Sequence, residues 1–244
     1  MRQLTVVIPT YNEAENLPSL IDVLLATAIP NLKIIIVDDG SPDGTGHLAD
    51  ELEEQMAGRL SVVHRAGKMG LGSAYIRGFG VALKHGAEAI GQMDADFSHS
   101  PSHLPELLAE LDNWDAVFGS RYVEGGRVDE RWSFGRVFLS KFGNTYARVL
   151  LRLQVRDSTG GFRIWRAETL KGMPLERVTS EGYVFQVEMA YIAQRMGFKI
   201  AEQPIYFEDR RIGQSKMSLR IQLEAAIRVW FLPYIYRGLG PSHS

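Results

Sequence analysis

Two carboxylates separated by one residue, Asp94 and Asp96, stand at the end of an apolar run at 89–93. The run predicts a buried strand, and in an extended backbone residues i and i+2 point to the same side. The two side chains can therefore converge on one hard divalent cation, which takes oxygen ligands and keeps positions open for substrate phosphates. An isolated Asp-x-Asp pair is a weak signal, because such pairs also occur in solvated turns, so other motifs have to support it.

Polar residues also follow three other predicted strands. They are Pro9-Thr10-Tyr11-Asn12-Glu13, the segment 38–43 and the segment 119–122. Each has a structural explanation by itself, for example Asn12 or Asp43 as a helix cap. With Asp94 and Asp96, the four strand ends have six carboxylates, which exceed what capping requires. In parallel sheets ligands bind beyond the carboxyl ends of the strands, so the sequence predicts a binding site there.

Strand-like and helical hydrophobic patterns alternate through the first half of the chain. The predicted strands are 4–8, 32–37, 60–64, 89–93 and 116–119, and the predicted helices are 15–28, 45–55, 71–85 and 104–111. Repeated units of this kind imply an α/β fold with a mostly parallel sheet flanked by helices. The second half is less regular. Its predicted segments are a Gly-rich loop at 121–133, helices at 134–151, 183–196 and 219–236, an edge strand at 204–207 and a basic loop at 210–216.

The composition is that of a globular protein. With 244 residues, 45% hydrophobic and 23% charged, the chain can bury a full core and is not disordered overall. The absence of cysteine excludes disulfides and Cys-ligated zinc. A formal net charge of -2 argues against a general nucleic-acid binder. No apolar run approaches the roughly 20 residues of a membrane-spanning helix, and the first strand is too short for a signal peptide. We therefore expect a cytoplasmic protein with one domain, 1–244.

A nucleotide-sugar site accounts for the polar motifs. A base and ribose need a stacking surface and hydrogen-bond acceptors, for which the candidates are Tyr11, Glu13 and Asp39. A diphosphate needs a divalent cation and cationic side chains, since phosphate oxygens are bound by charge-assisted hydrogen bonds. The candidates for these side chains are Arg121, Arg210 and Lys216.

Seven motifs between residues 7 and 216 resemble those of a known family. They are Val7–Glu13, Val37–Asp43, Met93–Asp96, Gly119–Val123, Asp157–Arg163, Gly182–Gln186 and Arg210–Lys216. The chain resembles the inverting GT-A glycosyltransferases, and among them the polyprenol (dolichyl) phosphate mannosyltransferases. The early motifs are shared by many transferases, whereas Gly-Tyr-Val-Phe-Gln and Arg-x-x-Gly-x-Ser-Lys are more selective for the polyprenol-phosphate branch.

The resemblance implies a role for each motif. It implies a guanosine pocket for GDP-mannose at Pro9, Tyr11, Glu13, Val37 and Asp39. It implies a diphosphate site with Mg²⁺ or Mn²⁺ at Asp94, Ala95 and Asp96. Phosphate contacts are implied for Arg121, Arg210 and Lys216, and contacts to the acceptor phosphate for Arg136 and Ser140. Where some relatives have a carboxamide oxygen after the acidic pair, this chain has Ser98, whose hydroxyl can still bind the cation directly or through water.

The implied reaction is mannosyl transfer from GDP-mannose to a polyprenyl phosphate with inversion at the anomeric carbon. A phosphate monoester is largely dianionic at pH 7, so it needs no general base. One alternative is a hexose from a UDP-sugar or a hydroxyl acceptor, for which Glu181 is the candidate base. Another is a catalytically silent nucleotide-sugar binding module.

The resemblance divides the chain into a nucleotide half (1–120), an acceptor half (121–216) and a C-terminal segment (217–244). The last helix is either docked on the core or interfacial, with Trp and Tyr at a bilayer surface. We expect a peripheral protein on the cytoplasmic face of a membrane, bound directly or through a small anchor subunit.

Two weaker signals lie near these motifs. Gly70 and Gly72 do not have the G-x-G-x-x-G spacing of a dinucleotide-binding loop. We expect them instead to open the helix at Leu71. His99 and His103 are four residues apart, but Pro101 interrupts any shared helix, so we expect surface residues.

Overall fold

The computed structural model describes residues 2–56, 58–209 and 219–240. Its strands are β1 (Leu4–Thr10), β2 (Lys33–Asp38), β3 (Leu60–His64), β4 (Ala89–Gln92), β5 (Ala116–Ser120), β6 (Arg127–Val128), β7 (Arg163–Arg166), β8 (Ile200–Pro204) and β9 (Tyr206–Phe207). Its α-helices are α1 (Leu17–Leu25), α2 (Thr45–Gln55), α3 (Leu71–Lys84), α4 (Leu104–Glu110), α5 (Phe134–Leu151), α6 (Ala167–Gly172), α7 (Gly182–Arg195) and α8 (Leu219–Ile235). Short 3₁₀ turns cover Pro101–His103 and Leu175–Arg177.

A seven-stranded sheet of order β3-β2-β1-β4-β7-β5-β8 forms the centre of the fold. The pairs β1–β2, β1–β4, β2–β3 and β5–β8 are parallel, which confirms the predicted mostly parallel α/β sheet. Alternate residues of β1 face opposite sides: Leu4, Val6 and Ile8 pack with α1 and α4, whereas Val7 packs with α3 and α7. Helices therefore cover both faces.

Strand β7 departs from the expected pattern. It lies between β4 and β5 and runs antiparallel to both, with Trp165 opposite Ile90 and Arg163 opposite Phe118. Only four residues long and bounded by Gly160-Gly161, it has too few residues for a strand periodicity to be recognised. The second half of the chain thus completes the sheet that the first half begins.

The segment 121–216, predicted to be the acceptor half, differs from expectation in two further places. The predicted edge strand at 204–207 is wrong in its bounds: β8 ends at Pro204, and β9 pairs with β6 in a separate two-stranded sheet. The segment 121–133, predicted as a loop, contains β6. The predicted basic loop at 210–216 lies outside the described residues. None of the described helices has both the length and the apolar character needed to cross a membrane.

Candidate active site

Short polar side chains tie together the loops that follow β1 and β2. The Asp38 carboxylate accepts a hydrogen bond from the Thr10 hydroxyl at 3.1 Å and another from the Ser41 N–H at 3.1 Å. The Asp43 carboxylate accepts from the Thr45 N–H at 3.0 Å and from its hydroxyl at 2.6 Å. These two carboxylates hold turns, and Asp43 does so one residue before Gly44, the N-cap residue of α2.

The Asp39 carboxylate has a different partner. It is buried and forms an ion pair with Arg65 at 2.7 Å, and it accepts a hydrogen bond from the Met69 N–H at 3.1 Å. Nearby, the Lys68 ammonium lies 4.5 Å from the centroid of the Tyr11 ring. Residues 65–69 therefore contact two of the three predicted base and ribose contacts, Tyr11 and Asp39. Arg65 was not among the residues predicted from sequence, because it belongs to none of the recognised motifs.

The other predicted guanosine-pocket residues lie beside these. Pro9 is opposite Val37 in the β1–β2 register, and the Val37 side chain is fully buried in the core. The predicted ligand contact of Val37 is therefore restricted to its backbone. The Glu13 carboxylate accepts a hydrogen bond from the Asn16 amide at 2.8 Å, at the start of α1.

The acidic pair follows β4, as predicted, and the protein holds each carboxylate differently. Asp94 accepts a 3.0 Å hydrogen bond from the Tyr75 hydroxyl of α3. Asp96 is 6% exposed and accepts a 3.0 Å hydrogen bond from the Ser98 N–H. Between Asp96 and Ser98, Phe97 has a φ of 60°, a left-handed conformation that is strained for a bulky residue and clusters at functional sites.

The residues here fit a Mg²⁺ or Mn²⁺ ion. Ser98 Oγ is buried and, within the described part of the chain, has no hydrogen-bond partner, although a buried hydroxyl normally has one. Among the residues that the structure describes, no three His, Cys, Asp or Glu side chains form a group that could hold a metal ion. Two carboxylates and one hydroxyl leave coordination positions for substrate phosphates, which is how Mg²⁺ is usually bound. Ala95 lies between the carboxylates and is buried.

Arg121 is fixed by a buried ion pair. Its Nε and Nη2 atoms each donate to the Asp157 carboxylate at 2.7 Å, and Nη2 also donates to the Thr159 hydroxyl at 2.9 Å. Burial by itself lowers the pKa of Arg121, but Asp157 more than offsets this and raises it. Likewise, burial raises the pKa of Asp157, and Arg121 brings it below the usual value. The predicted phosphate contact is therefore a charged group in a fixed position.

The two predicted acceptor-phosphate residues lie on α5. Ser140 Oγ accepts a 2.7 Å hydrogen bond from the Tyr122 hydroxyl, next to Arg121 in the chain. Arg136 forms a 2.7 Å ion pair with Asp209 and lies 3.8 Å from the centroid of the Trp132 ring. Arg210 and Lys216, the other predicted phosphate contacts, lie outside the described residues.

His99 joins the acidic pair to the Arg121 side of the site. It is 1% exposed, and its ring stacks on Phe162 at 5.2 Å between centroids and meets the Phe207 ring edge-on at 5.1 Å. The expectation that His99 is a surface residue is wrong, because the chain returns over it: His99 and Phe207 form a β-bridge. Burial lowers the His99 pKa, and the charges of Asp94 and Asp96 oppose that shift.

Glu181 closes the start of α3. Its carboxylate accepts a 2.9 Å hydrogen bond from the Gly72 N–H, and burial raises its pKa. Gly70 has a φ of +100°, and a Cβ there would lie 2.1 Å from Glu181 Oε2, so only glycine fits. The prediction that Gly70 and Gly72 open the helix at Leu71 is confirmed.

A buried layer of polar side chains lies beneath the acidic pair and was not predicted from the sequence. The Trp165 N–H donates to Gln92 Oε1 at 2.7 Å, and Gln92 Nε2 donates to Gln186 Oε1 at 3.0 Å. Arg163 is fully buried and donates to the backbone carbonyls of Ser158, Gly160 and Gln186. Gln186 ends the Gly-Tyr-Val-Phe-Gln motif and Arg163 ends the Asp157–Arg163 motif, so two of the recognised motifs contribute to this layer.

The mostly parallel sheet, with an Asp-x-Asp pair at the end of a central strand, defines a GT-A-like glycosyltransferase fold. The chain belongs to glycosyl transferase family 2, whose family model matches residues 5–173.

Two curated relatives match over most of their length. The polyprenol monophosphomannose synthase of Mycolicibacterium smegmatis is 46% identical over 225 residues, which cover 92% of this chain and 84% of that protein. The undecaprenyl-phosphate mannosyltransferase of Micrococcus luteus is 44% identical over 241 residues, which cover 98% of each chain.

Solved structures share the fold at low sequence identity. A mannosyltransferase from Pyrobaculum calidifontis, in complex with GDP-Man and Mn²⁺, has a TM-score of 0.64 and 20% identity; the match covers 98% of this chain and 66% of that one. Glucosyl-3-phosphoglycerate synthase from Mycobacterium tuberculosis, in complex with Mn²⁺, UDP and glucosyl-3-phosphoglycerate, has a TM-score of 0.64 and 21% identity, covering 99% of this chain and 82% of that one.

Proposed function

We propose that this protein transfers mannose from GDP-mannose to a polyprenyl phosphate, giving polyprenyl-phosphate β-mannose. The observation that carries the proposal is the acidic pair with its unpartnered Ser98 hydroxyl, in a site that also contains a fixed arginine, Arg121. The names of the two relatives, at 46% and 44% identity, support the lipid-phosphate acceptor.

In this proposal the donor binds along the ends of β1, β2 and β4. The base and ribose contact Tyr11, Glu13 and Asp39 and the backbone at Pro9 and Val37, and the diphosphate lies at the acidic pair. A divalent cation held by Asp94, Asp96 and Ser98 would stabilise the negative charge of the departing GDP. The backbone turn at Phe97 holds Asp96 in place before substrate arrives.

The acceptor phosphate lies between Arg121 and the α5 residues Arg136 and Ser140. Arg121 and Arg136 offset the repulsion between two anionic substrates, which allows the acceptor oxygen to approach the anomeric carbon opposite the leaving group. Arg210 and Lys216 are proposed to contact the donor phosphates. In this proposal residues 1–120 bind the donor and residues 121–216 bind the acceptor.

The position of Glu181 argues against the hydroxyl-acceptor alternative. That reaction needs a general base within hydrogen-bond reach of the acceptor. The Glu181 carboxylate is instead bonded to the start of α3 at Gly72. A phosphate acceptor needs no such base, so the site is complete without it.

Helix α5 carries two stripes that suit a lipid-linked acceptor. Arg136, Ser140 and Asn144, spaced by four residues, lie on one face, where Asn144 donates to Thr159 and Ser140 contacts Tyr122. The second stripe, Phe134, Phe138 and Phe142, is 86%, 63% and 57% exposed. One helix thus presents polar groups to the site and aromatic groups to the surroundings.

Helix α8 continues this exposed aromatic surface. It packs against α5, where the Tyr146 hydroxyl donates to the Ala226 carbonyl at 3.0 Å. Val229 and Leu232 are buried, so one face of α8 docks on the core. Its other face exposes Trp230, Phe231 and Tyr234. We call these three side chains, with Phe134, Phe138 and Phe142, the aromatic surface.

We propose that the aromatic surface rests on the cytoplasmic face of a membrane. Large exposed apolar patches mark interaction sites, and aromatic residues next to basic ones suit the bilayer interface. The exposed cations Lys141 and Arg148 lie on α5 beside the aromatic stripe, where anionic lipid phosphates would attract them. An acceptor whose tail is in the membrane would then reach Arg136 and Ser140 on the same helix.

A transfer assay tests the reaction. GDP-mannose and UDP-glucose are offered separately with a polyprenyl phosphate, in Mg²⁺, Mn²⁺ or EDTA. We expect product from GDP-mannose with either cation and none in EDTA. Transfer only from UDP-glucose, or only to a sugar hydroxyl, would overturn the proposal. Binding of GDP-mannose without transfer under any of these conditions would favour the silent binding module.

A further inference from the structure

We propose that Tyr75 is a positioning residue for the cation site, acting through Asp94. Its hydroxyl donates to Asp94 Oδ1 at 3.0 Å. The proposal rests on the proposed function to the extent that Asp94 binds the cation. Tyr75 belongs to none of the motifs that carry the family resemblance, and lies just after the glycines that open α3.

The Tyr75 ring is held rigidly. It is 0% exposed, stacks on Phe185 with an angle of 2° between ring planes at 5.7 Å, and packs on Phe79 at 5.9 Å. A ring packed in this way cannot change rotamer without opening the core. The hydroxyl that donates to Asp94 is therefore held in a fixed position by the packing of α3.

This contact explains how Asp94 is oriented. Asp96 accepts a hydrogen bond within its own turn, from the Ser98 N–H, whereas Asp94 accepts one from a donor 19 residues away in the chain. Asp94 is also only half-buried, so packing alone does not restrict its carboxylate. Hydrogen bonds to ligating carboxylates set ligand orientation, and their loss usually weakens metal binding by about 10–100-fold.

The chain offers a matched control in Tyr236. It too is 0% exposed, and its hydroxyl donates to a carboxylate, Glu188, at 2.8 Å. This contact lies where α7 packs on the residues following α8, and it includes no residue of the proposed site. Tyr236→Phe therefore removes a buried phenol–carboxylate hydrogen bond without touching Asp94.

The experiment measures Mn²⁺ binding in the presence of GDP by electron paramagnetic resonance. We expect Tyr75→Phe to weaken Mn²⁺ binding about tenfold and Tyr236→Phe to leave it unchanged, although both lower the thermal midpoint. We also expect kcat/KM for GDP-mannose to fall in Tyr75→Phe at subsaturating Mn²⁺ and to recover in part at high Mn²⁺. Adding Tyr75→Phe to Asp94→Asn should have no further effect on Mn²⁺ binding, since the two act as a unit.

Wild-type Mn²⁺ affinity in Tyr75→Phe, or equal losses in both tyrosine variants, would overturn the inference. An additive effect in the double variant would do the same. The proposed function fails separately, when the wild-type protein gives no mannosyl transfer while its Mn²⁺ binding still depends on Tyr75.

Discussion

The proposed donor side of the site, which follows β1, β2 and β4, and the proposed acceptor side, around Arg121 and α5, are held together by different interactions. On the donor side, Asp38 and Asp43 accept hydrogen bonds from residues two to three positions away as well as from the neighbouring loop. On the acceptor side, guanidinium groups pair with distant carboxylates: Arg121 with Asp157, 36 residues apart, and Arg136 with Asp209, 73 residues apart. Local turns therefore hold most of the proposed donor side, where the ion pair between Asp39 and Arg65 is an exception, and long-range ion pairs hold the proposed acceptor side.

This difference affects how each side binds an anion. The acceptor-side arginines already have carboxylate partners, so they contribute fixed geometry with reduced net charge. Burying such a pair costs desolvation free energy, and removing one partner leaves the other charge buried and uncompensated. On the donor side the carboxylates of the acidic pair accept hydrogen bonds from the Tyr75 hydroxyl and the Ser98 N–H, and in the proposed function they bind a cation that arrives with the substrate.

The largest effect on activity should come from Asp96→Asn. The amide oxygen can still accept the Ser98 N–H, so the turn is kept, but the charge that binds the cation is lost. We expect kcat/KM for mannosyl transfer to fall by about 100-fold or more, with an unchanged circular dichroism spectrum. A variant within fivefold of wild type would contradict the role of Asp96 and remove the contrast between the two sides.

The largest effect on stability should come from Asp157→Asn. It leaves the Arg121 guanidinium buried without its counter-charge, at a cost of about 3 kcal/mol in the free energy of unfolding, measured by urea denaturation at pH 7. Asp50→Asn, at an exposed carboxylate that contacts His64, is the control and should change it by less than about 1 kcal/mol. Equal effects would show that the acceptor-side pair is no more important than a surface contact.

The Asp157 effect should depend on pH in one direction. The pKa of Asp157 in the folded protein lies below its ordinary value of 3.8. Its stabilisation is therefore fully present above pH 3.8 and is lost as the pH falls through the folded-state pKa. The difference between wild type and Asp157→Asn should shrink below pH 4 and stay constant from pH 5 to 7.

A smaller effect is expected at the aromatic surface. Phe138→Ser with Phe142→Ser removes two exposed rings and should weaken binding to anionic phospholipid vesicles about tenfold, measured by co-sedimentation. Val23→Ser, at an exposed apolar residue of α1 on the opposite face of the sheet, should have no effect. If the wild-type protein does not bind the vesicles, a separate anchor subunit would be favoured.

The smallest effect is expected for Glu181→Gln. The amide oxygen can still accept the Gly72 N–H, so the start of α3 is preserved. We expect kcat to change by less than about threefold, whereas removing a general base costs roughly 100-fold or more. A large fall in kcat with an unshifted thermal midpoint would revive the hydroxyl-acceptor alternative.

Much of the donor side was predictable because its interactions are local. The strands β1 to β4, the helices between them and the position of Asp94 and Asp96 at the end of β4 all follow from hydrophobic periodicity and from the edge at which parallel strands end. The acceptor side was predicted less well. Strand β7 was missed because its four residues are too few to show a periodicity, and the burial of His99 was predicted wrongly because it depends on Phe207, more than 100 residues away in the chain.

The sequence by itself determined the α/β order of elements, the acidic pair and the family, since these depend on residue types at short spacing. Only the tertiary structure decided which carboxylates already have a hydrogen-bond donor or a cationic partner within the protein. Asp43 is used in a turn, Glu181 at the start of a helix and Asp157 in a buried ion pair. It also decided that Tyr75 supports Asp94. The physical reason is that a carboxylate's role depends on which donors reach it, and those donors come from strands and helices that meet only when the sheet is assembled.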